Sequence, residues 1–308
     1  MDKNLKIAVA LGGPGSEHDV SIASGKAVIE ALKNAGCNVQ ELLVTDYTIA
    51  APEGVDVIFN TIHGTFGEDG TMQKQLEEQG VAYTGGGSVS SALAFDKVLS
   101  KEKFIEKGVP TPASEIVDCT DGFKMPQMSL PYVIKPPREG SSVGVSICNT
   151  LEEAEVAMKE AVKYSNDVLI EQLVVGEELT VGVLDGEVLP VVHIIPDGGK
   201  YDMATKYPSL YGNGESKTQY ICPANFSDEV TKSIQDAALA AHKSLGVEVY
   251  SRVDVLLDKD DKPYVLEANT IPGMTASSLL PKSAQASGYE FEDLCMKIID
   301  ISMATPRG

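Results

Sequence analysis

The chain has 308 residues, 43% of them hydrophobic, and a formal net charge of −20, enough sequence for two or three domains around ordinary cores. So acidic a chain disfavours nucleic acid or an anionic membrane as partner, and any anionic ligand must be held by a few local lysines, arginines or a metal. No apolar run approaches the roughly 20 residues of a membrane span, and the apolar run of "MDKNLKIAVALGG" leads into a glycine turn rather than a signal-peptide pattern. Five scattered cysteines, at 37, 119, 148, 222 and 295, have neither CxxC nor zinc spacing. They read as small buried apolar residues in a reduced, cytoplasmic compartment.

The first third alternates strands and helices. "LKIAVALGG" reads as a buried strand, and "SEHDVSIASGKAVIEALKNAG" as an amphipathic helix opened by a Ser16/Asp19 capping box and stopped by Gly36. "VDVIFNTIHG" is a second strand, "TMQKQLEEQG" a helix, and "VAYTGGG" a third strand ending in a glycine turn. This repetition predicts a parallel sheet with ligands at the C-terminal ends of its strands. Neither GxGxxG nor GxxxxGK(S/T) occurs, so the dinucleotide fingerprint and the P-loop are both absent.

A helix expected over 90–107 and the linker "GVPTPAS" change the pattern. From Pro131 the strands "PYVIKP", "VGVSI", "VLIEQLV", "ELTVGVL" and "VLPVVHII" are separated by short turns and interrupted by one helix, "LEEAEVAMKEAVKYS". That is an α+β region with antiparallel pairing. A loop over 200–219, containing "KYPSLYGNGESKTQY", is rich in glycine, serine and tyrosine and reads as a mobile surface loop. Residues 227–245 form a further amphipathic helix with a serine cap and Gly246 beyond its end.

The most informative stretch is "RVDVLLDKDDKPYVLEANT", which reads as a hairpin around "DKDDKP". In the symmetric register Asp254 faces Glu267 and Arg252 faces Asn269, and strand alternation puts all four on one side. Two acids facing each other are unfavourable alone and favourable around a hard divalent cation. The stretch by itself reads equally as a solvated polar face on an edge hairpin. Upstream, "VIKPPREGSSVGVSI" places Lys135 at a strand end before a Gly/Ser loop whose amides could converge on phosphate oxygens; a plain hairpin has the same pattern. "AFDKVLSK" offers Lys97, an extended segment at 170–174 could bond a purine edge through its backbone, and Glu178 could accept from ribose hydroxyls. Glu17 in a first helical turn is also favourable to the helix dipole alone. His63 at a strand end reads also as a structural histidine, as do His18, His193 and His242.

Taken in order, "GGPGSEHDVSIASG", "HGTFGEDGTMQ", "YTGGG", "DK", "KPPREGSSVG", "VLIEQ", "SRVDVLLD" and "LEANTIPGMTASSLLP" resemble the ATP-grasp ligases, and among them the D-alanine–D-alanine ligase family. The resemblance spans nearly the whole chain. It implies an N-terminal parallel α/β domain over 1–93 holding the first D-alanine, a central ATP-grasp subdomain over 94–178, and a C-terminal subdomain over 179–308 with the metal site and mobile loop. It implies that Lys97 and Lys135 hold ATP phosphates under the amides of Ser141, Ser142, Val143 and Gly144. Glu171, Gln172 and Val174 would contact adenine, and Glu178 the ribose. Asp254, Glu267 and Asn269 would bind two Mg2+, replaceable by Mn2+. Glu17 would take the ammonium of the first D-alanine, with His63 orienting that substrate. Ser278 and Leu279 would take the carboxylate of the second, and Arg252 with the Gly273 amide would form an oxyanion site. The resemblance further implies a cytoplasmic homodimer serving peptidoglycan precursor synthesis.

One segment departs from the family pattern. "KYDMATKY" has Met203 where a second tyrosine is usual, and "PSLYGNGES" is longer than the common loop. Lys206 and Tyr207 align with the family's Lys–Tyr pair, whose tyrosine joins Ser141 and Glu17 in a hydrogen-bonded set; an alternative register puts Tyr211 there. A tyrosine favours the dipeptide and a phenylalanine the ester with D-lactate. A ligase using D-lactate or D-serine, and a nucleotide-binding module without catalysis, are therefore the rival readings.

Overall fold

The computed structural model describes residues 5–140, 143–196 and 218–307. Three sheets follow one another along the chain. The first is parallel and has the order β2-β1-β3-β4, built from β1 (Lys6–Gly12), β2 (Asn38–Val44), β3 (Val57–Asn60) and β4 (Ala82–Tyr83). α1 (His18–Asn34) and α2 (Thr71–Gln79) cross between these strands. β1 and β3 are apolar and buried because the sheet is covered on both faces, as parallel sheets require. β2 was not legible as a strand: it lies at the sheet edge, and its residues are mostly exposed or half-buried.

α1 starts one residue later than expected. Glu17, not Ser16, occupies the N-cap position, and no side chain caps the helix. The helix expected over 90–107 is two helices, α3 (Ser88–Phe95) and α4 (Lys97–Glu106). Asp96 between them is extended, and its carboxylate accepts from the amides of Val98 and Leu99. An N-cap of this kind is worth about 1 kcal/mol, and here it turns the chain so that Lys97 opens a new helix.

The second sheet, order β5-β8-β6-β7, contains β5 (Ser114–Asp118), β6 (Tyr132–Lys135), β7 (Ser146–Cys148) and β8 (Asp167–Gln172), all antiparallel, backed by α5 (Leu151–Ala161). The third contains β9 (Gly176–Leu184), β10 (Glu187–Val188), β11 (Val192–Ile195), β12 (Gln219–Ile221), β13 (Tyr250–Asp258) and β14 (Pro263–Asn269). Its order is β12-β11-β9-β13-β14, with β10 on β9, and α6 (Asp228–Ser244) packs on it. The segment after α4 covers the edge of β14: the Val265 amide donates to Pro110 O at 2.8 Å, and the Thr111 hydroxyl donates to Val265 O at 2.8 Å.

Two further helices close the chain, α7 (Leu279–Ala286) and α8 (Phe291–Ala304). α8 returns to the first sheet: Leu294, Cys295, Ile298 and Ile299 are fully buried in one cluster with Ile7, Val9, Leu11 and Phe59. Among the described residues no helix is long and apolar enough to cross a membrane.

Candidate active site

The hairpin forms with the expected pairing at its catalytic-looking end, Arg252 opposite Asn269 and Asp254 opposite Glu267. The register shifts between Asp254 and Val255, leaving Leu266 as the extra residue of a β-bulge. Asp254 is clamped from three sides. Arg252 Nε and Nη2 donate to its two oxygens at 3.1 and 3.0 Å, Thr180 Oγ1 donates to Oδ1 at 2.6 Å, and Asn269 Nδ2 donates to Oδ2 at 3.2 Å. Glu267 lies 3.0 Å from Lys97 Nζ, which also donates to Glu139 O at 2.8 Å. The charge of Glu267 and its bond to the lysine, with Glu171 and Glu68 nearby, hold the Lys97 pKa above its ordinary value although burial opposes this. The facing acids are thus compensated here by Arg252 and Lys97. As donors, two carboxylates and an amide oxygen also fit a hard divalent cation.

This ribbon forms one wall of a cleft of about 680 Å3, open to solvent. Glu17, His63, Arg252, Glu267, Asn269, Gly273, Ser278 and Leu279 all line it. The first two come from the C-terminal ends of β1 and β3, where parallel-sheet ligands are expected. Glu17 is 8% exposed, and its carboxylate makes no capping bond to the helix it precedes. A Cβ on Gly64, whose φ is +70°, would lie 2.9 Å from Glu17 Oε2, and one on Gly140 would lie 2.7 Å from it. Glycine at both positions lets the turn after β3 and the start of the Gly/Ser loop approach that carboxylate. Ser278 precedes α7, and its hydroxyl accepts from the Thr275 amide at 3.0 Å instead of capping the first turn. The positive end of α7 therefore faces the cleft at Leu279.

A second depression of about 330 Å3 adjoins the first and shares Glu68, Gly140, Glu267 and Asn269 with it. Lys97 and Glu139 line it. Lys135 ends β6 and is paired with Glu171 of β8, whose other oxygen meets Lys101. Val143 and Gly144 form a half-buried turn, with the Val143 amide donating to Gly140 O at 3.0 Å. Gln172, Val174 and Glu178 line neither depression; 173–175 carries no strand pairing, and Glu178 lies on β9 opposite Leu256 and Ile194. Ser141, Ser142, Lys206, Tyr207 and Tyr211 lie outside the described residues, as does nearly all of the 200–219 loop.

Among the cleft and supporting residues given no role from the sequence are Glu68, Lys101, Thr180 and Tyr220. The first two lie inside motifs singled out above, "HGTFGEDG" and "DKVLSK"; Thr180 and Tyr220 depend on pairings across distant strands. The turn carrying Glu68 is fixed by Asp69, which accepts from the Phe66 and Thr71 amides, and by Asn60 and Gln73, which both donate to Gly67 O. Glu68 Oε1 lies 3.5 Å from His63 Nδ1, which donates to Ile271 O at 2.8 Å. Burial lowers the His63 pKa, but the bond to Glu68 and the charges of Glu68 and Glu17 carry it above its ordinary value. Burial raises that of Glu68 too. Both groups thus hold protons more tightly folded than unfolded, so their stabilisation is full at low pH and lost as pH rises through the folded values. Glu68→Gln is expected to move the His63 titration to lower pH, read from its imidazole proton resonances, and to flatten that decline in stability. An unmoved titration would show that Glu68 does not act on His63.

A parallel α/β unit followed by two antiparallel sheets, with Arg252 and Glu267 of the ribbon lining one cleft and Lys97 the depression adjoining it, defines the ATP-grasp class of proteins. The family model for the D-ala D-ala ligase N-terminus matches residues 44–86, and that for the D-ala D-ala ligase C-terminus matches 117–300. A D-alanine–D-alanine ligase of Methylacidiphilum infernorum is 44% identical over 96% of this chain and 95% of its own length; one of Mannheimia succiniciproducens is 42% identical over 97% and 98%. The crystal structure of the Bacillus anthracis D-alanine–D-alanine ligase complexed with ATP superposes with a TM-score of 0.85 at 30% identity, covering 97% of this chain and 98% of that one. VanG, a D-Ala:D-Ser ligase from Enterococcus faecalis, gives 0.82 at 27% identity over 97% and 99%. The chain belongs to the D-alanine–D-alanine ligase family.

Proposed function

We infer that the protein joins two D-alanines into D-alanyl-D-alanine, converting ATP to ADP and phosphate. The observation that carries this reading is the cleft in which Glu17, a carboxylate suited to an ammonium, shares the lining with Arg252, Glu267 and Asn269 of the ribbon and with the N-terminus of α7. The carboxylate of the first D-alanine attacks the γ-phosphoryl of ATP, releasing ADP and giving an acyl phosphate. The amine of the second then attacks the acyl carbon, loses a proton, and phosphate leaves. Lys97 and Lys135, with the Val143 and Gly144 amides, neutralise and orient the phosphoryl oxygens. Glu17 and His63 orient the first substrate, Ser278 and Leu279 at the head of α7 hold the second carboxylate, and Arg252 with the Gly273 amide receives the developing oxyanion. Asp254, Glu267 and Asn269 would hold Mg2+, which when bound spreads the charge of the transferred phosphoryl. Glu171, Gln172 and Val174 receive the adenine, and Glu178 the ribose.

The domain limits 1–93, 94–178 and 179–308 belong to the same proposal, supported by one sheet for each, although β9 of the third begins at Gly176, ahead of the 178/179 limit. So does cytoplasmic placement, with which five cysteines joined in no disulfide agree. The homodimer rests on the family resemblance. Incubation with ATP, Mg2+ and D-alanine is expected to release phosphate and yield the dipeptide as product by mass spectrometry. In a panel of second substrates, exclusive use of D-lactate or D-serine would overturn the assignment in favour of a related ligase, and nucleotide binding without product would leave a binding module.

A further inference from the structure

One buried cation has no task in the mechanism above. Lys101, on α4, is 2% exposed, with Nζ 2.5 Å from Glu171 Oε1 and 2.8 Å from Thr111 Oγ1. Lys135 pairs with the other oxygen of Glu171, itself 2% exposed. One carboxylate therefore serves two lysines, and the group carries a surplus positive charge inside the protein. A surplus of this kind is costly unless another anion answers it.

The two lysines differ in how they are tethered. Lys101 is fixed on its far side by Thr111, which in turn donates to Val265 O of the ribbon strand β14. Lys135 has no partner but Glu171 among the described residues, and it stands where β6 enters the Gly/Ser loop. Against the effect of burial, Lys135 and Lys101 together hold the Glu171 pKa below its ordinary value, so the carboxylate is ionised. Were Lys101 neutral, Lys135 would be the sole counter-ion of a buried carboxylate, and a phosphate oxygen would have to compete for it.

We propose that Lys101 is a positioning residue for nucleotide binding: it is the standing counter-ion of Glu171, which lets Lys135 leave that carboxylate for a phosphate oxygen. The proposal rests on the phosphate role given to Lys135 above. It predicts that neutralising Lys101 weakens nucleotide binding because Glu171 remains charged, and that a substitution keeping the positive charge restores it. A lysine that merely fills space would not behave so, since the larger arginine would fit worse than methionine.

The test measures the ADP Kd by calorimetry and steady-state kinetics for the wild type, Lys101→Met and Lys101→Arg. Lys101→Met is expected to raise the ADP Kd and the KM for ATP about tenfold. The KM for D-alanine should stay within about twofold and kcat at saturating ATP within about threefold. Lys101→Arg, which keeps the charge, is expected to return the ADP Kd to within about threefold of the wild type. Wild-type affinity in Lys101→Met, or a Lys101→Arg variant binding no better than Lys101→Met, overturns the proposal. Should Lys101→Met fail to fold, Lys101→Gln is read by the same criteria. A wild type that does not bind ADP would instead overturn the phosphate role of Lys135.

Discussion

Asp254→Asn and Glu267→Gln are each expected to lower turnover by about 10^3 or more, because a metal neutralising a transferred phosphoryl is worth several kcal/mol at about 1.4 kcal/mol per tenfold. The two substitutions fail for different local reasons, which makes the pair informative. An asparagine at 254 presents an amide to the guanidinium that now donates to both carboxylate oxygens, so it disturbs Arg252 as well. A glutamine at 267 leaves that bidentate pair intact and weakens the contact with Lys97. Loss of activity in both therefore points to what they share, a place among the oxygens expected to hold the cation. The ribbon itself should survive, since β13 is hydrogen-bonded on both sides, to β9 and β14. Circular dichroism should show native folds, and Mn2+ titration in the presence of ADP should show weakened binding. Wild-type rates in both variants would remove the carboxylates from the metal site.

Arg252→Ala is expected to cost about 10^2–10^3 in kcat, the range for removing one preorganised oxyanion donor. Arg252 lines the cleft, and its side chain is held at 15% exposure by two bonds to one carboxylate. Arg252→Lys should recover little, because an ammonium cannot reproduce the planar fork that meets both oxygens. If the lysine variant matched the wild type, positive charge alone would be sufficient and the preorganised geometry irrelevant. Phosphate release with saturating ATP and D-alanine distinguishes these outcomes.

The ribbon was legible in the sequence because its chemistry is local: alternation and one turn fix which side chains share a face, so Asp254, Glu267, Arg252 and Asn269 could be placed together from the nineteen residues of 252–270. Glu17 was half legible. Its position at the head of α1 was visible, but an acid there suits the dipole equally, and only the approach of Gly64 and Gly140 shows which way it faces. Thr180 could not be read at all, since its bond to Asp254 depends on β9 pairing with β13 across some seventy residues. The break at Asp96 was missed because the apolar periodicity runs through it, while the capping that divides α3 from α4 is a single side chain's choice. The edge strand β2 and the strand β5 went unread for a related reason: strands with one wet face carry little hydrophobic signal of their own.

The return of α8 to the first sheet bears on how the protein is made. Leu294, Ile298 and Ile299 are fully buried against strands formed from the chain's first sixty residues, and each such side chain contributes roughly 1.5–3 kcal/mol on burial. A nascent polypeptide emerging from the ribosome has no access to those contacts until the segment beyond residue 290 has been made. The earliest sheet must wait with one apolar face uncovered, so a stalled or truncated product would present that face to chaperones and proteases.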